Sequence, residues 1–213
     1  MTHYSLAIFD FDGTLADSFL WFCSVLNQTA RKFGFREVAG EDIDELRLLG
    51  SREIVARLGV PMWKMPAIAM HMCKLAASQS TISLFPGASE AISALAERGM
   101  KIAVVSSNGE DTVRRTLGAS AVRVQAFDCG ASLWGKSAKF KAIAQKLETE
   151  PSRTVAIGDE VRDIEAARRA GMSAGAVTFG YNSPAARKSL DPDFLFADFN
   201  DLLTQLLPSR SIN

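Results

Sequence analysis

The pattern of apolar and polar positions predicts a strand near the start of the chain and a helix soon after it. Leu6–Phe9 is a short apolar run, and the polar turn 10–14 follows directly. From about Asp17, apolar side chains recur at helical spacing as far as Phe33. Gly34 is a natural C-terminal stop, so the first helix is predicted to end there.

The next part of the chain carries helical patterns only. Helices are predicted over residues 41–48, 51–58 and 61–78, with Ser51 as an N-cap and Gly59 as a stop. No strand is expected between residues 16 and 82. The first strand is therefore predicted to be followed by an all-helical insert.

From Phe85 onward, strand and helix patterns alternate. Strands are predicted over residues 101–105, 122–127, 154–157 and 174–179, with helices between them and a short strand and a terminal helix from Phe194. This order predicts an α/β fold with a parallel sheet flanked by helices. The expected domains are a core that contains the parallel sheet, residues 1–15 and 82–213, and an inserted helical cap, residues 16–81.

Composition and charge exclude several classes of protein. The 213 residues are 47% hydrophobic and 23% charged, typical of a globular chain, and the net charge is zero. We therefore expect neither nucleic acid nor a membrane as partner. No run is long enough to span a membrane, and the N-terminus lacks a secretory signal pattern. The chain has three scattered cysteines, which indicate reduced thiols and so favour a cytoplasmic protein. The protein is expected to be a monomer or a homodimer.

The candidate chemistry lies where predicted strands end. Asp10 and Asp12 follow the first strand, and Asp159 and Asp163 follow a later one. Ligands of such sheets bind at the carboxyl ends of the strands. Carboxylates held close repel each other unless a proton or a cation lies between them, and an all-oxygen set suits Mg²⁺. Each aspartate alone could equally be a turn former or a helix cap.

A second polar group follows the strand at 101–105. Ser106, Ser107 and Asn108 offer hydroxyl and backbone N–H groups that could hold a phosphate, although a plain helix cap would look the same. Lys136 precedes a predicted helix and could neutralise a phosphate and a carboxylate. An isolated lysine is more often a solvated surface charge.

The stretch Asp10-Phe11-Asp12-Gly13-Thr14-Leu15-Ala16-Asp17-Ser18 resembles motif I of the haloacid dehalogenase superfamily in its phosphatase form. Val104-Val105-Ser106 resembles motif II, Lys136 motif III and Gly158-Asp159-Glu160-Val161-Arg162-Asp163 motif IV. The resemblance covers about residues 5–181 and is nearest to phosphoglycolate phosphatase-like hydrolases. It implies a Rossmannoid parallel sheet with an inserted helical cap.

The resemblance also implies roles for these residues. Asp10 would be the nucleophile that forms an aspartyl-phosphate, and Asp12 the general acid and then base. Mg²⁺ would bind the Asp10 carboxylate, the Asp12 backbone carbonyl and Asp159, with Asp163 in support. Ser106 would bind the transferring phosphoryl group and Lys136 would balance its charge. The implied activity is hydrolysis of a small phosphate monoester, phosphoglycolate-like or a sugar phosphate.

Motif III departs from the common Lys-Pro-x-Pro pattern, which leaves Lys139 as a competitor. Lys136 is preferred because it lies 23 residues before Asp159, the better spacing for the family.

Two alternatives remain open. Gly130–Ser137 matches the P-loop pattern, which would indicate a nucleotide-binding NTPase, although bulky Leu133 and Trp134 fit it poorly. The other alternative is a phosphoglucomutase-type phosphotransferase.

The helical insert contains four cations that could bind a second anionic group of the substrate, although each is more often a solvated surface charge: Arg47, Arg52, Arg57 and Lys64.

Overall fold

The computed structural model describes residues 4–46, 49, 51–78, 82–130, 135–181 and 191–207. The strands are β1 (Leu6–Phe9), β2 (Ala16–Asp17), β3 (Ser83–Leu84), β4 (Lys101–Ser106), β5 (Ala126–Cys129), β6 (Thr154–Gly158), β7 (Ser173–Val177) and β8 (Phe194–Phe196). The helices are α1 (Phe19–Phe33), α2 (Ile43–Leu46), α3 (Ser51–Arg57), α4 (Met65–Ala77), α5 (Ala88–Glu97), α6 (Glu110–Leu117), α7 (Lys136–Lys146), α8 (Val161–Ala170) and α9 (Phe199–Leu206).

Six strands form one parallel sheet in the order β5-β4-β1-β6-β7-β8. β1 lies in the middle and pairs with β4 on one side and β6 on the other. Its four residues are fully buried, as their apolar character requires when helices cover both faces. The predicted α/β fold with a parallel sheet and flanking helices is confirmed.

Two large apolar clusters cover the faces of this sheet. One lies between the sheet and the helices α5, α6 and α9, and the other between the sheet and the helices α7 and α8. Because the sheet is packed on both sides, the loops at the carboxyl ends of its strands start from fixed positions. A site built from several of those loops is therefore held rigidly.

The helices α1 to α4 form a block with a smaller apolar cluster of its own. Its buried members are Leu26, Val38, Leu46 and Leu58. Gly34 ends α1 in the left-handed conformation, with φ 67°, as its position predicts. Residues 47 and 48 of the helix predicted over 41–48 lie outside the described residues, and the preceding turn at 40–42 is a 3₁₀ helix.

Two predictions about strands are wrong. First, Ala16–Asp17 forms the short strand β2, which pairs antiparallel with β3. A strand of two residues is too short to show an alternating hydrophobic pattern in the sequence. The pairing of β2 with β3 arises because the two ends of the helical block join the core side by side.

Second, the strand predicted over 122–127 begins late. Residues 118–123 form a 3₁₀ helix, and β5 starts only at Ala126. The Ser120 hydroxyl donates to the Leu117 carbonyl at 2.7 Å and Val122 is 84% exposed, so local turn bonds outweigh the β-propensity of the valines.

Among the described residues, no helix combines the length and the apolar character needed to cross a membrane.

Candidate active site

The parallel pairing of β1 with β6 brings two of the predicted site residues together. Phe9 is in register with Ile157, and the Asp10 N–H donates to the Ile157 carbonyl at 2.8 Å. Asp10 and Asp159 therefore leave neighbouring strands at the same edge of the sheet. Sequence separation alone hides this closeness, which the order of the strands creates.

Three buried carboxylates converge at this edge. Asp10, Asp159 and Asp163 each place one oxygen within 4.8 Å of the others. Asp163 reaches the cluster because α8 begins just after β6 and its first turn is closed by a capping box between Glu160 and Asp163. A Cβ at Gly158 would lie 2.2 Å from an Asp163 oxygen, so only glycine admits this approach.

Lys136 supplies a positive charge to the same cluster. Its ammonium nitrogen lies 3.0 Å from an Asp10 oxygen and 2.6 Å from an Asp163 oxygen. Lys136 is the first residue of α7, after Gly135 in the left-handed conformation. The competing Lys139 pairs with Asp128 at 2.9 Å instead.

The charges in the cluster shift one another's proton affinity. Burial raises the pKa of Asp10 to about 7, although Lys136 opposes the shift. Burial, with the nearby Glu160 and Asp163 carboxyls, raises the pKa of Asp159 well above its usual range. Burial also acts on Asp163, but Lys136 and Arg162 hold the pKa of that carboxyl below its usual value.

Lys136 stays charged within this arrangement. Burial opposes its charge, yet the Asp10 and Asp163 carboxylates raise its pKa to about 12. Lys136 and Arg162 are two cations beside three carboxylates, and Arg162 also pairs with Glu160, so a further positive charge is favoured where the carboxylate oxygens meet.

The donor set fits a hard divalent cation. The three converging groups are carboxylates only, without imidazole or thiolate in the cluster, and oxygen ligands are those that Mg²⁺ prefers. Asp159 is also fixed in place, because Thr14 Oγ1 donates to one of its oxygens at 3.2 Å and the Tyr181 N–H to the other at 2.8 Å.

Asp12 stands apart from the carboxylate cluster. Its two oxygens accept hydrogen bonds from the Ser18 hydroxyl at 2.6 Å and from the Asn108 amide at 2.7 Å. The Tyr181 hydroxyl lies against Ser18 Oγ and completes a short polar chain. Burial raises the pKa of Asp12, so its neutral, proton-donating form is favoured compared with an exposed aspartate.

β4 ends at Ser106, and the segment from Ser106 to Asn108 brings the Asn108 amide to Asp12. Ser106 is buried, and its hydroxyl oxygen accepts from the Asn108 N–H at 3.0 Å. Ser107 is half-buried, and its carbonyl accepts from the Cys73 thiol at 3.1 Å. All three segment residues line the same cavity as Asp10 and Asp12.

That cavity has a volume of about 310 Å³ and lies between the sheet edge and the helical block. Two opposite walls differ in character. The "core wall" consists of polar and charged side chains: Asp10, Asp12, Ser106, Lys136 and Arg162. The "cap wall" consists mainly of apolar ones: Phe22, Leu26, Ile54, Leu58, Met65 and Ile68.

The cations proposed for substrate recognition in the helical block divide into three groups. Arg57 pairs with Glu45, and Lys64 donates to the Phe33 carbonyl at 2.6 Å, so both have partners within the block. Arg52 lines the cavity. Arg47 lies outside the described residues.

Sequence reasoning did not assign roles to several residues of the site. Ser18 and Thr14 lie in the motif I stretch, where their position was a usable signal. Tyr181 carries no such signal, because it reaches Ser18 and Asp159 only through the path of the chain after β7. Position 180 requires glycine for lack of space, because a Cβ there would lie 2.2 Å from Asp159 Cβ.

Comparison with known proteins identifies the class to which this fold and site belong. The model of the haloacid dehalogenase-like hydrolase family matches residues 7–177. The chain belongs to this family.

Relatives narrow the class further. A phosphoglycolate phosphatase of Synechococcus elongatus is 31% identical over 206 residues, covering 94% of this chain and 97% of the relative. A phosphoglycolate phosphatase of Agrobacterium fabrum is 28% identical, and the match covers 94% of this chain and 91% of the relative. These relatives indicate a phosphatase of the phosphoglycolate phosphatase-like type.

A solved structure agrees on the fold. A haloacid dehalogenase-like family hydrolase from Streptococcus pneumoniae superposes with a TM-score of 0.79 at 18% identity, covering 96% of this chain and 99% of that one. At that identity the similarity concerns the fold alone.

Proposed function

We propose that the enzyme hydrolyses small phosphate monoesters, with 2-phosphoglycolate as the first candidate, through a phosphoryl group transferred to Asp10. The observation that carries the proposal is the buried contact between Lys136 and Asp10 beside two further carboxylates. The names of the relatives support the choice of candidate.

Asp10 is suited to attack phosphorus. Lys136 pairs with its carboxylate, which orients the group and offsets the charge of an approaching phosphate. Mg²⁺ held by Asp10 and Asp159, with Asp163 in support and the Asp12 backbone carbonyl as a further oxygen, would supply charge neutralisation for an anionic nucleophile and an anionic substrate. Ser106 would donate to the phosphoryl oxygens, and its position in the same cavity lining as Asp10 supports this role.

Asp12 is suited to proton transfer. A leaving alkoxide needs a proton, and burial raises the pKa of Asp12, which favours its proton-donating form. Asn108 and Ser18 fix the carboxyl, so it stays aimed at one position. Once deprotonated, the same group can accept a proton from the water that hydrolyses the phosphoenzyme.

We further propose that residues 1–15 and 82–213 act as the catalytic core and residues 16–81 as a cap that excludes water from the reaction. The apolar cap wall supports this division, since a dry wall strengthens the electrostatic interactions on the opposite side.

Phosphate release from a panel of small phosphate esters tests the proposal. We expect turnover with Mg²⁺, none after EDTA treatment, and inhibition by Ca²⁺, whose larger coordination sphere displaces the nucleophile. Full turnover in metal-free buffer would contradict the mechanism. A requirement for a bisphosphate activator would favour a phosphotransferase, and ATP binding without ester hydrolysis would favour the P-loop alternative.

A further inference from the structure

Arg162 is a cavity-facing cation to which the proposed mechanism gives no role. It is the second residue of α8, and Arg162, Ala166 and Arg169 place one face of that helix against the cavity. The Arg162 side chain is 26% exposed, compared with 62% for Arg169. Arg162 therefore lies deep in the cavity, whereas Arg169 lies at its exposed margin.

The guanidinium of Arg162 retains hydrogen-bonding capacity. One terminal nitrogen donates to Glu160 at 2.5 Å. The Nε–H is buried and has no acceptor among the residues that the structure describes. A buried donor without an acceptor is unfavourable, so an anion that accepted a hydrogen bond from it would remove that cost.

The geometry of arginine favours one type of ligand. Its N–H groups lie in one plane and match the two oxygens of a carboxylate or a phosphate. Lys136 pairs with Asp10 and Asp163, and Lys139 pairs with Asp128. Arg162 is also ion-paired, with Glu160, but that contact uses a terminal nitrogen and leaves the Nε–H without an acceptor among the described residues. Arg162 thus combines an unsatisfied buried donor with contact to the cavity.

The cap wall offers few cations that could bind the same carboxylate or phosphate instead of Arg162. The cap wall is mainly apolar, and the cation that the helical block contributes to the described lining is Arg52. A small ester bound at Asp10 would lie against the core wall, where Arg162 is found.

We propose that Arg162 binds a second anionic group on the alcohol part of the phosphate ester and so selects doubly anionic substrates. The group is a carboxylate or a second phosphate, which offer the same oxygen pair. This inference rests on the proposed phosphatase function and assigns the substrate class to one side chain.

Kinetics with matched substrates provide the first test. Ethyl phosphate has the size of 2-phosphoglycolate but lacks its carboxylate. Arg162→Gln should raise KM for 2-phosphoglycolate by about 10-fold or more, as expected for a lost charge-assisted bond, and change ethyl phosphate turnover less than about 2-fold. Arg162→Lys should restore part of the affinity. A sugar bisphosphate in place of 2-phosphoglycolate shows whether the second group is a phosphate.

Two matched variants serve as controls. Arg169→Gln removes a cation from the same helix face at its exposed end, and it should leave both substrates unaffected. Arg52→Gln tests the cation of the helical block. If loss of 2-phosphoglycolate preference follows Arg52→Gln rather than Arg162→Gln, the proposal is overturned.

Binding measurements separate this inference from the proposed function. Calorimetry with Mg²⁺ should show tighter binding of 2-phosphoglycolate than of ethyl phosphate to the wild type, and Arg162→Gln should remove the difference whether or not either compound is hydrolysed. Equal binding by the wild type would overturn the inference while hydrolysis stands. Equal losses for both substrates in Arg162→Gln would also overturn it, because they would place Arg162 at the transferring phosphoryl group or at the start of α8.

Discussion

The core wall and the cap wall face the same cavity, yet they are built in opposite ways. The core wall has buried charges held by short contacts, such as Lys136 to Asp163 at 2.6 Å and Ser18 to Asp12 at 2.6 Å. It stands on strands that are covered on both faces. The cap wall has apolar side chains that rest on a small cluster with Leu26, Val38, Leu46 and Leu58 as its buried members.

The difference shows how the fold separates two tasks. Proton and phosphoryl transfer need groups fixed to within a fraction of an ångström, which the sheet provides. Exclusion of water needs an apolar surface but little angular accuracy, which a helical block provides. Substitutions of Asp10, Asp12 or Lys136 in the core wall should therefore affect chemistry, and matched substitutions outside the core wall should not.

Among the substitutions that should lower turnover without abolishing it, the largest effect is expected at Asp12. Asp12→Asn keeps the size of the side chain but cannot give up a proton, so turnover should fall about 10²–10⁴-fold. The loss should be smallest for p-nitrophenyl phosphate, whose leaving group needs little protonation. Rates for esters of graded leaving-group pKa measure this. Equal losses across the series would show that Asp12 serves the structure only.

A smaller effect is expected at Lys136, with Lys139 as its matched control on the same helix. Lys136→Ala removes the charge beside Asp10 and should lower ester turnover by more than about 10-fold. Lys139→Ala breaks the pair with Asp128 and should change it little. Steady-state rates with several esters decide between them. If Lys139→Ala is the damaging change, motif III is shifted by three residues.

Two glycines allow a direct comparison between the candidate site at the sheet edge and the helical block. Gly13 and Gly59 both have positive φ, at 72° and 64°, so an added methyl group costs about 1 kcal/mol or more at either. At Gly13 the added Cβ would also lie 2.4 Å from an Asp159 oxygen, whereas nothing described lies within 4 Å at Gly59.

Gly13→Ala should therefore destabilise the protein by about 3 kcal/mol and lower turnover by about 10-fold, and Gly59→Ala should cost about 1 kcal/mol with turnover retained. Denaturant unfolding and ester assays on both variants measure these effects. Similar turnover losses in both would contradict the contrast between the regions.

The smallest effect is a pH dependence of stability in the metal-free enzyme. Asp10 has a pKa raised from 3.8 to about 7, and the pKa of Asp159 is also raised. A carboxyl that binds its proton more tightly in the folded state contributes stability at low pH, and that contribution is lost as pH rises towards 7. Thermal unfolding in EDTA should show Tm falling between about pH 5 and 7. Added Mg²⁺ should raise Tm most at the upper end, and a Tm that rises over this range without metal would contradict the account.

Several residues of the candidate site were predictable from the sequence because they lie at or just after the ends of strands. Asp10, Ser106 and Asp159 come directly after apolar runs, and a parallel sheet gathers such positions at one edge. The paired spacing of Asp159 and Asp163 places one at the strand end and the other in the first turn of α8. Local pattern and sheet topology together suffice for these positions.

Other features depend on packing that no local pattern expresses. Tyr181 reaches Ser18 across 163 positions of sequence, and Arg162 faces the cavity because of how α8 lies on the sheet. The β2–β3 pairing likewise joins two ends of the helical block. Such contacts between distant segments need the three-dimensional arrangement.

The claim that Asp10 carries the phosphoryl group is tested most directly by trapping the intermediate. Acid quenching during turnover of a phosphate ester with Mg²⁺, followed by peptide mass spectrometry, should find a phosphoryl group on the peptide that contains Asp10. Asp10→Asn should lose turnover by at least about 10⁴-fold and leave no trapped species. A phosphoryl group on another residue, or retained turnover in Asp10→Asn, would contradict the account.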